Sequence, residues 1–288
     1  MVGIVTIQDF FKHFPDDDAC LDHLMKTRFG EKLDCPKCGK YGRFTRLKKH
    51  PAYSCPWCGH HIHPMVGTPF EKSRTSLQKW FYAMYLFTTT RHGVPARELQ
   101  RQLGVTLKTA WRIGHEIRKY MGKVDGIPPM TDHVEVDETY VGGRRPKIKG
   151  FTGRGAKGKT VVMRILERDG EIYTEVVPSA AGRSLIPPIV ANVPVGTRVS
   201  TDEWAPYKVL SRLGYRHETV DHGRKEYARG DVHVNGLESF WSILKRSIRG
   251  THVWVSPKHL PKYLGEFEFR YNMRKTPEIM FDRLLRAF

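Results

Sequence analysis

HVEVDETYV, residues 133–141, sets β-branched and aromatic side chains around one aspartate, Asp137. Such a run reads as a strand, and a carboxylate within it is costly to bury without a cation or a metal. Two further strand-like runs follow, TVVMRILER (160–168) and EIYTEVV (171–177), which meet across Asp169-Gly170, a two-residue hairpin signal. A fourth, TRVST (197–201), ends on Asp202. A helix at about 205–213, a short strand at about 215–220 and long helices at about 234–249 and 257–275 complete the region. Three antiparallel strands, then alternating helices and strands, imply an α/β fold over residues 131–288, a mixed sheet with helices packed on it.

The connection 142–159, GGRRPKIKGFTGRGAKGK, is basic, glycine-rich and free of acid. It is expected to be mobile and to meet a DNA backbone; a plain solvated loop is the alternative. The whole chain shares this bias, with a formal net charge of +18 over 288 residues. A polyanion is the expected partner, nucleic acid first and an anionic membrane surface second. Hydrophobic residues make up 40% and aromatics 11%, enough for packed cores. The longest apolar stretch, Trp80 to Phe87, falls far short of the roughly 20 residues of a spanning helix. The first residues do not read as a secretory signal, so the expected place is the cytoplasm, on the nucleoid through DNA.

Upstream, residues 1–29 read as a helical lead-in and residues 30–70 as a small metal module. Cys35-Pro-Lys-Cys38 and Cys55-Pro-Trp-Cys58 stand sixteen residues apart, each pair followed by a glycine. Four thiolates at this spacing close a tetrahedron on Zn²⁺ and make a zinc ribbon. The fifth cysteine, Cys20, stands alone, and an odd count favours metal over disulfides. Four thiolates leave no open position, so the zinc is structural and the nearby His50, His60, His61 and His63 are surplus to it. Residues 71–125 carry a helix-turn-helix pattern: Leu99 and Leu103, a break at Gly104, Thr106 as cap, then Ala110, Ile113 and Ile117. The second helix is expected to expose Lys108, Thr109, Arg112 and Arg118 to DNA, with Trp80, Phe81, Tyr82, Tyr85 and Phe87 as core. An ordinary helical pair is the alternative.

Three acids stand out by position: Asp137 in its strand, Asp202 at a strand end and Glu238 near a helix start. Converging, they can hold two divalent ions about 4 Å apart for in-line phosphoryl displacement, and Mg²⁺, or Mn²⁺, suits oxygen ligands. Lys245 lies seven residues after Glu238, two turns on along the same face, and can reach a phosphate. Glu135 and Glu138 flank Asp137 and are set aside as pointing away from it.

Four motifs, VEVDETYVGG (134–143), STDEWAPY (200–207), HVNGLESFWSILKR (233–246) and FEFRYNMR (267–274), resemble those of bacterial insertion-sequence DDE transposases. The branch they resemble has an N-terminal zinc ribbon, the ISXO2-like transposase family. The resemblance runs from the ribbon to the C-terminal helix. It implies an RNase H-like fold: a five-stranded mixed sheet with flanking helices, and the acids on the first strand, after the fourth and on a late helix. It also implies Mg²⁺-dependent cleavage at terminal inverted repeats, strand transfer into target DNA, and a homo-oligomer on paired ends. Members differ at the third acid, where some carry Asn. Asn235 sits one turn before Glu238; the negative Glu238 is the better Mg²⁺ ligand, and both can take part. Two other functions remain open: a DNA-binding regulator with an inert catalytic domain, and an RNase H-like nuclease without strand transfer.

Overall fold

The computed structural model describes residues 6–124, 129–142, 158–220, 228–229, 232–233 and 235–288; for 220, 228–229, 232–233 and 235–239 it describes the backbone. Residues 143–157 of the basic connection therefore lie outside the described residues. Contacts divide the chain into two units: 1–90 with 94–120 and 276–288, and 91–93 with 121–275.

The first unit begins with α1 (Ile7–His13), held by a reciprocal cap between Thr6 and Asp9, and α2 (Asp17–Phe29), capped by Asp16. Two small sheets follow: β1 (Leu33–Asp34) with β2 (Tyr41–Gly42), and β3 (Thr45–Arg46) with β4 (Tyr53–Ser54) and β5 (His61–Ile62), all antiparallel. Then come α3 (Leu77–Thr89), α4 (Ala96–Leu103) and α5 (Leu107–Val124). Gly104 ends α4 in the left-handed region, φ 60 and ψ 42, and the Thr109 N–H donates to Thr106 Oγ1 at 3.3 Å to start α5. Trp80, Phe81, Tyr85 and Phe87 are buried, while Tyr82 is half-buried. Aromatic rings join distant parts of this unit: Phe281 meets Phe10, Phe14 and Phe81, and Phe288 meets Phe70.

The second unit is a five-stranded mixed sheet with helices on both faces. Its strands are β6 (Val134–Val141), β7 (Thr160–Glu167), β8 (Ile172–Val177), β9 (Arg198–Asp202) and β10 (Arg216–Val220). The spatial order is β10-β9-β6-β7-β8. The β6–β7 and β7–β8 pairs are antiparallel, and β6–β9 and β9–β10 are parallel. The hairpin turn is one residue longer than its dipeptide signal suggests: Glu167 N–H donates to the Glu171 carbonyl at 3.0 Å, and Asp169 takes the positive φ of 54. Parallel pairing of β9 requires a crossover from β8, supplied by α6 (Gly182–Asn192). Its prolines, Pro187 and Pro188, hide it from a periodicity reading. The helix expected near 205–213 is a 3₁₀ turn, Ala205–Val209, with proline at its start.

Strand alternation gives each face its own core. Val134, Val136, Met163 and Ile165 pack with Leu185 and Ile189 of α6 and with Tyr207. On the opposite face, Val141, Val162 and Leu166 pack with Phe240, Trp241 and Leu244 of α7 (Asn235–Ser247) and with Leu264 and Phe267 of α8 (Leu260–Asn272). The closing helix, α9 (Met280–Arg286), belongs to the first unit.

Candidate active site

Alternation along β6 puts Glu135, Asp137, Thr139 and Val141 on the α7 face and Val134, Val136 and Glu138 on the other. The parallel ladder pairs Val134 with Val199 and Glu135 with Ser200. Two residues further along each strand stand Asp137 and Asp202, on the same face as Glu135 and Ser200. Burial first, and then the negative charge of Asp202, raise the Asp137 carboxyl above its ordinary range. Asp202 receives the Trp204 N–H at 3.1 Å and borders an open cavity lined also by Trp204, Lys208 and Thr219.

α7 lies over this strand in matching register. Trp241 Nε1 donates to Asp137 Oδ2 at 2.9 Å, and Lys245 Nζ donates to Thr139 Oγ1 at 2.6 Å. The four helix residues from Trp241 to Lys245 advance about 6 Å and two strand residues about 6.6 Å, so both pairs form together. Burial lowers the Lys245 ammonium, and Asp137 opposes that shift. The backbones of Asn235 and Glu238 lie on the first turn of α7, and their side chains lie outside the described residues.

Arg164 of β7 sits directly across from Asp137 in the ladder and is fully buried. Its guanidinium lies 4.6 Å from the Trp241 ring centre and 5.3 Å from that of Phe240. Burial pulls it down to about 9, while Asp137 and Glu135 hold it up. An arginine at the apolar centre of TVVMRILER was the available signal for it: a buried cation needs an acid, and Asp137 is in register.

The two flanking glutamates correct the sequence reading. Glu135 is two residues from Asp137 and therefore shares its face; it is buried and bonded to Arg168 Nε at 2.8 Å. Glu138 does point to the other face, yet it remains within the field of both aspartates. Tyr207 O–H donates to its Oε2 at 2.5 Å. Burial, opposed by that bond and reinforced by Asp137 and Asp202, pushes Glu138 up to about 7. Tyr207, the last residue of STDEWAPY, is itself fully buried, and its phenol is raised by burial and by Glu138.

In the first unit the four cysteine sulfurs lie within 4.8 Å of one another. Cys35 and Cys58 are 3.6 Å apart, and Cys38 and Cys55 3.8 Å. A tetrahedron with Zn–S bonds of about 2.3 Å has edges of about 3.8 Å, so the sulfurs fit zinc. The two knuckles repeat one geometry: Gly39 N–H donates to the Cys35 carbonyl at 2.8 Å and Gly59 N–H to that of Cys55 at 3.0 Å, with φ 70 and 69. On α5, Lys108 and Arg112 are exposed and Thr109 is half-exposed. Arg118 is not on the surface as expected: it is buried, with Nη2 donating to the Val94 carbonyl at 2.9 Å and its guanidinium 4.9 Å from the Phe87 ring centre. Helical periodicity put its stem on the Ala110–Ile117 side, and a guanidinium can be buried once a carbonyl and a ring receive it.

Among the described residues no helix is long and apolar enough to cross a membrane. The family model for the ISXO2-like transposase domain matches residues 129–272, and that for the transposase zinc-ribbon domain matches residues 15–61. An uncharacterized protein in transposable element ISH50 of Halobacterium salinarum is 30% identical over 287 residues, covering 92% of this chain and 94% of that one. An uncharacterized transposase-like protein of Haemophilus influenzae is 30% identical over 102 residues, 35% of this chain and 81% of its own.

Proposed function

The chain belongs to the ISXO2-like transposase family, and we propose that it binds the ends of a mobile element, cuts DNA there and joins the freed strand to a target. The observation that carries this reading is the placing of Asp137 and Asp202 at neighbouring positions on one face of the sheet, beneath Trp241 and Lys245. The strand order and directions support an RNase H-like fold.

Asp137, Asp202 and Glu238 would hold Mg²⁺, or Mn²⁺, with Asn235 sharing or replacing the third position. The ions, when bound, activate a water or 3′-hydroxyl and stabilise the leaving oxygen in phosphoryl displacement. Trp241 fixes the Asp137 carboxylate through its N–H and favours the ionised form. Arg164 holds negative charge at Asp137 from below the site. Lys245, anchored on Thr139, sits at the site as a cation for a DNA phosphate. The α4–α5 pair would act as a helix-turn-helix that reads the terminal repeats, with Lys108, Thr109 and Arg112 facing DNA. The zinc ribbon adds a second DNA contact, and a homo-oligomer brings paired ends together. Free thiolates for zinc suit a reducing cytoplasm, which would be the protein's place, with the nucleoid reached through its DNA contacts.

The test is a reaction of the zinc-loaded full chain, Mg²⁺ and a duplex carrying the element's terminal repeats, with a second duplex as target. Cleavage at the 3′ end followed by joining is expected. Cleavage without joining would make the protein a nuclease, and binding without either a regulator.

A further inference from the structure

The chain makes a strained corner where it leaves the helix that roofs the active site. After α7 a π-helical turn runs over Ile248–His252, and Val253 follows with φ 63 and ψ −50. The Trp254 N–H donates across it to the His252 carbonyl at 2.7 Å. This is a three-residue γ-turn with positive φ at its centre, the rare and strained form. Glycine adopts such a φ freely, whereas a β-branched residue there is an outlier. Burial gives no return for it: Val253 is 79% exposed and Trp254 51%. Strain of this kind gathers at sites of function.

The surroundings point to the partner. From Ser239 to Gly265 the chain contains no Asp or Glu, and it carries Lys245, Arg246, Arg249, Lys258 and Lys262. Arg246, Arg249 and Lys258 are exposed. The same α7 holds Trp241 and Lys245 against Asp137 and Thr139, so the corner begins one π turn beyond the site. An apolar tip within an acid-free cationic stretch matches a polyanion that also offers flat apolar faces, which nucleic-acid bases are.

We propose that the Val253–Trp254 corner is a wedge that packs against unstacked bases of the DNA beside the cleavage site, with the flanking Arg249 and Lys258 on phosphates. This rests on the DNA-acting function proposed above, and it adds a preference for DNA whose stacking is already broken. Rigid presentation explains the strain: a fixed tip loses little freedom when a base meets it.

Two fluorescein-labelled 30-base-pair duplexes of one arbitrary sequence, one intact and one with a three-base mismatch bubble, provide the test, read by anisotropy with the zinc-loaded full chain. The wild type should bind the bubble about tenfold more tightly, the scale of one base–aromatic stack. Val253→Gly/Trp254→Ala should erase that preference while leaving intact-duplex affinity within error and the melting temperature no lower than that of the wild type, and Trp254→Phe should keep most of it. Arg249→Ala/Lys258→Ala should weaken both duplexes alike. A bubble preference that survives the double substitution overturns the wedge, as does a wild type that binds both duplexes equally. If the double substitution instead lowers self-association at unchanged bubble preference, the corner serves a second copy of the chain and the DNA assignment fails. A wild type that binds neither duplex overturns the DNA-acting reading itself.

Discussion

Replacing Glu138 by Gln should remove a pH dependence of stability that the fold builds into the second unit. In the folded protein Glu138 holds its proton up to about 7, against an ordinary value of 4.5, because burial and the two nearby aspartates disfavour its charge. The folded state therefore binds this proton more tightly than the unfolded chain. The stabilisation is complete below about pH 4.5, declines as pH rises from there to about 7, and is gone above it. At about 1.4 kcal/mol per tenfold in proton affinity the ceiling is about 3 kcal/mol. Partial exposure of the carboxyl reduces that to about 2 kcal/mol. Glutamine cannot ionise, and its carbonyl still accepts from the Tyr207 hydroxyl. Glu138→Gln should thus match the wild type in unfolding free energy from urea titration at pH 5 and exceed it by about 2 kcal/mol at pH 8, both in magnesium-free buffer. Equal pH slopes for the two proteins would refute the placing of Glu138 in the field of Asp137 and Asp202. A variant less stable at pH 8 would show that the Tyr207 bond needs the charged carboxylate.

Stripping zinc, or Cys38→Ser, should unfold residues 30–70 and weaken DNA binding, because so small a module buries little core; unchanged circular dichroism and affinity after full zinc removal would oppose this. Trp241→Phe deletes the donor to Asp137 Oδ2. Asp137 should then ionise at higher pH, and the acid limb of the metal-dependent cleavage profile should move up by about one pH unit, the worth of one hydrogen bond to a charge. Val253→Gly relieves the positive φ of 63 and should raise the unfolding free energy from urea titration by about 1 kcal/mol; a loss of stability would mean that the valine packs in solution.

The sheet was legible because its strands announce themselves through β-branched runs, and HVEVDETYV and TRVST show where β6 and β9 lie. Parity then decides which acids share a face: Glu135, two residues from Asp137, lies on its side of the sheet, and Glu138, the next residue, lies on the other. The crossover helix α6 was hidden by Pro187 and Pro188, whose missing N–H groups erase the helical signature although tertiary packing of Leu185 and Ile189 sustains the helix. Arg118 looked like a surface cation because nothing local reveals that Phe87 and the Val94 carbonyl will receive it. Nor does the pattern of Met280, Phe281, Leu284 and Leu285 say which core takes them: a helix records its apolar stripe but not its partner, and here that partner is the aromatic cluster of Phe10, Phe14 and Phe81. At the site, Asp137 and Asp202 were visible as acids at strand positions. The Trp241 donor and the Tyr207–Glu138 bond arise only when α7 and the 3₁₀ turn are folded onto the sheet.

The most direct measurement compares wild type, Asp137→Asn, Asp202→Asn and Glu238→Gln side by side, each zinc-loaded, for binding to the terminal-repeat duplex and for Mg²⁺-dependent 3′-end cleavage and joining. Binding should be retained in all four and chemistry lost in the three variants. Cleavage that persists in Asp137→Asn or Asp202→Asn at wild-type rates would contradict the account, and full activity in Glu238→Gln together with its loss in Asn235→Ala would move the third ligand to Asn235.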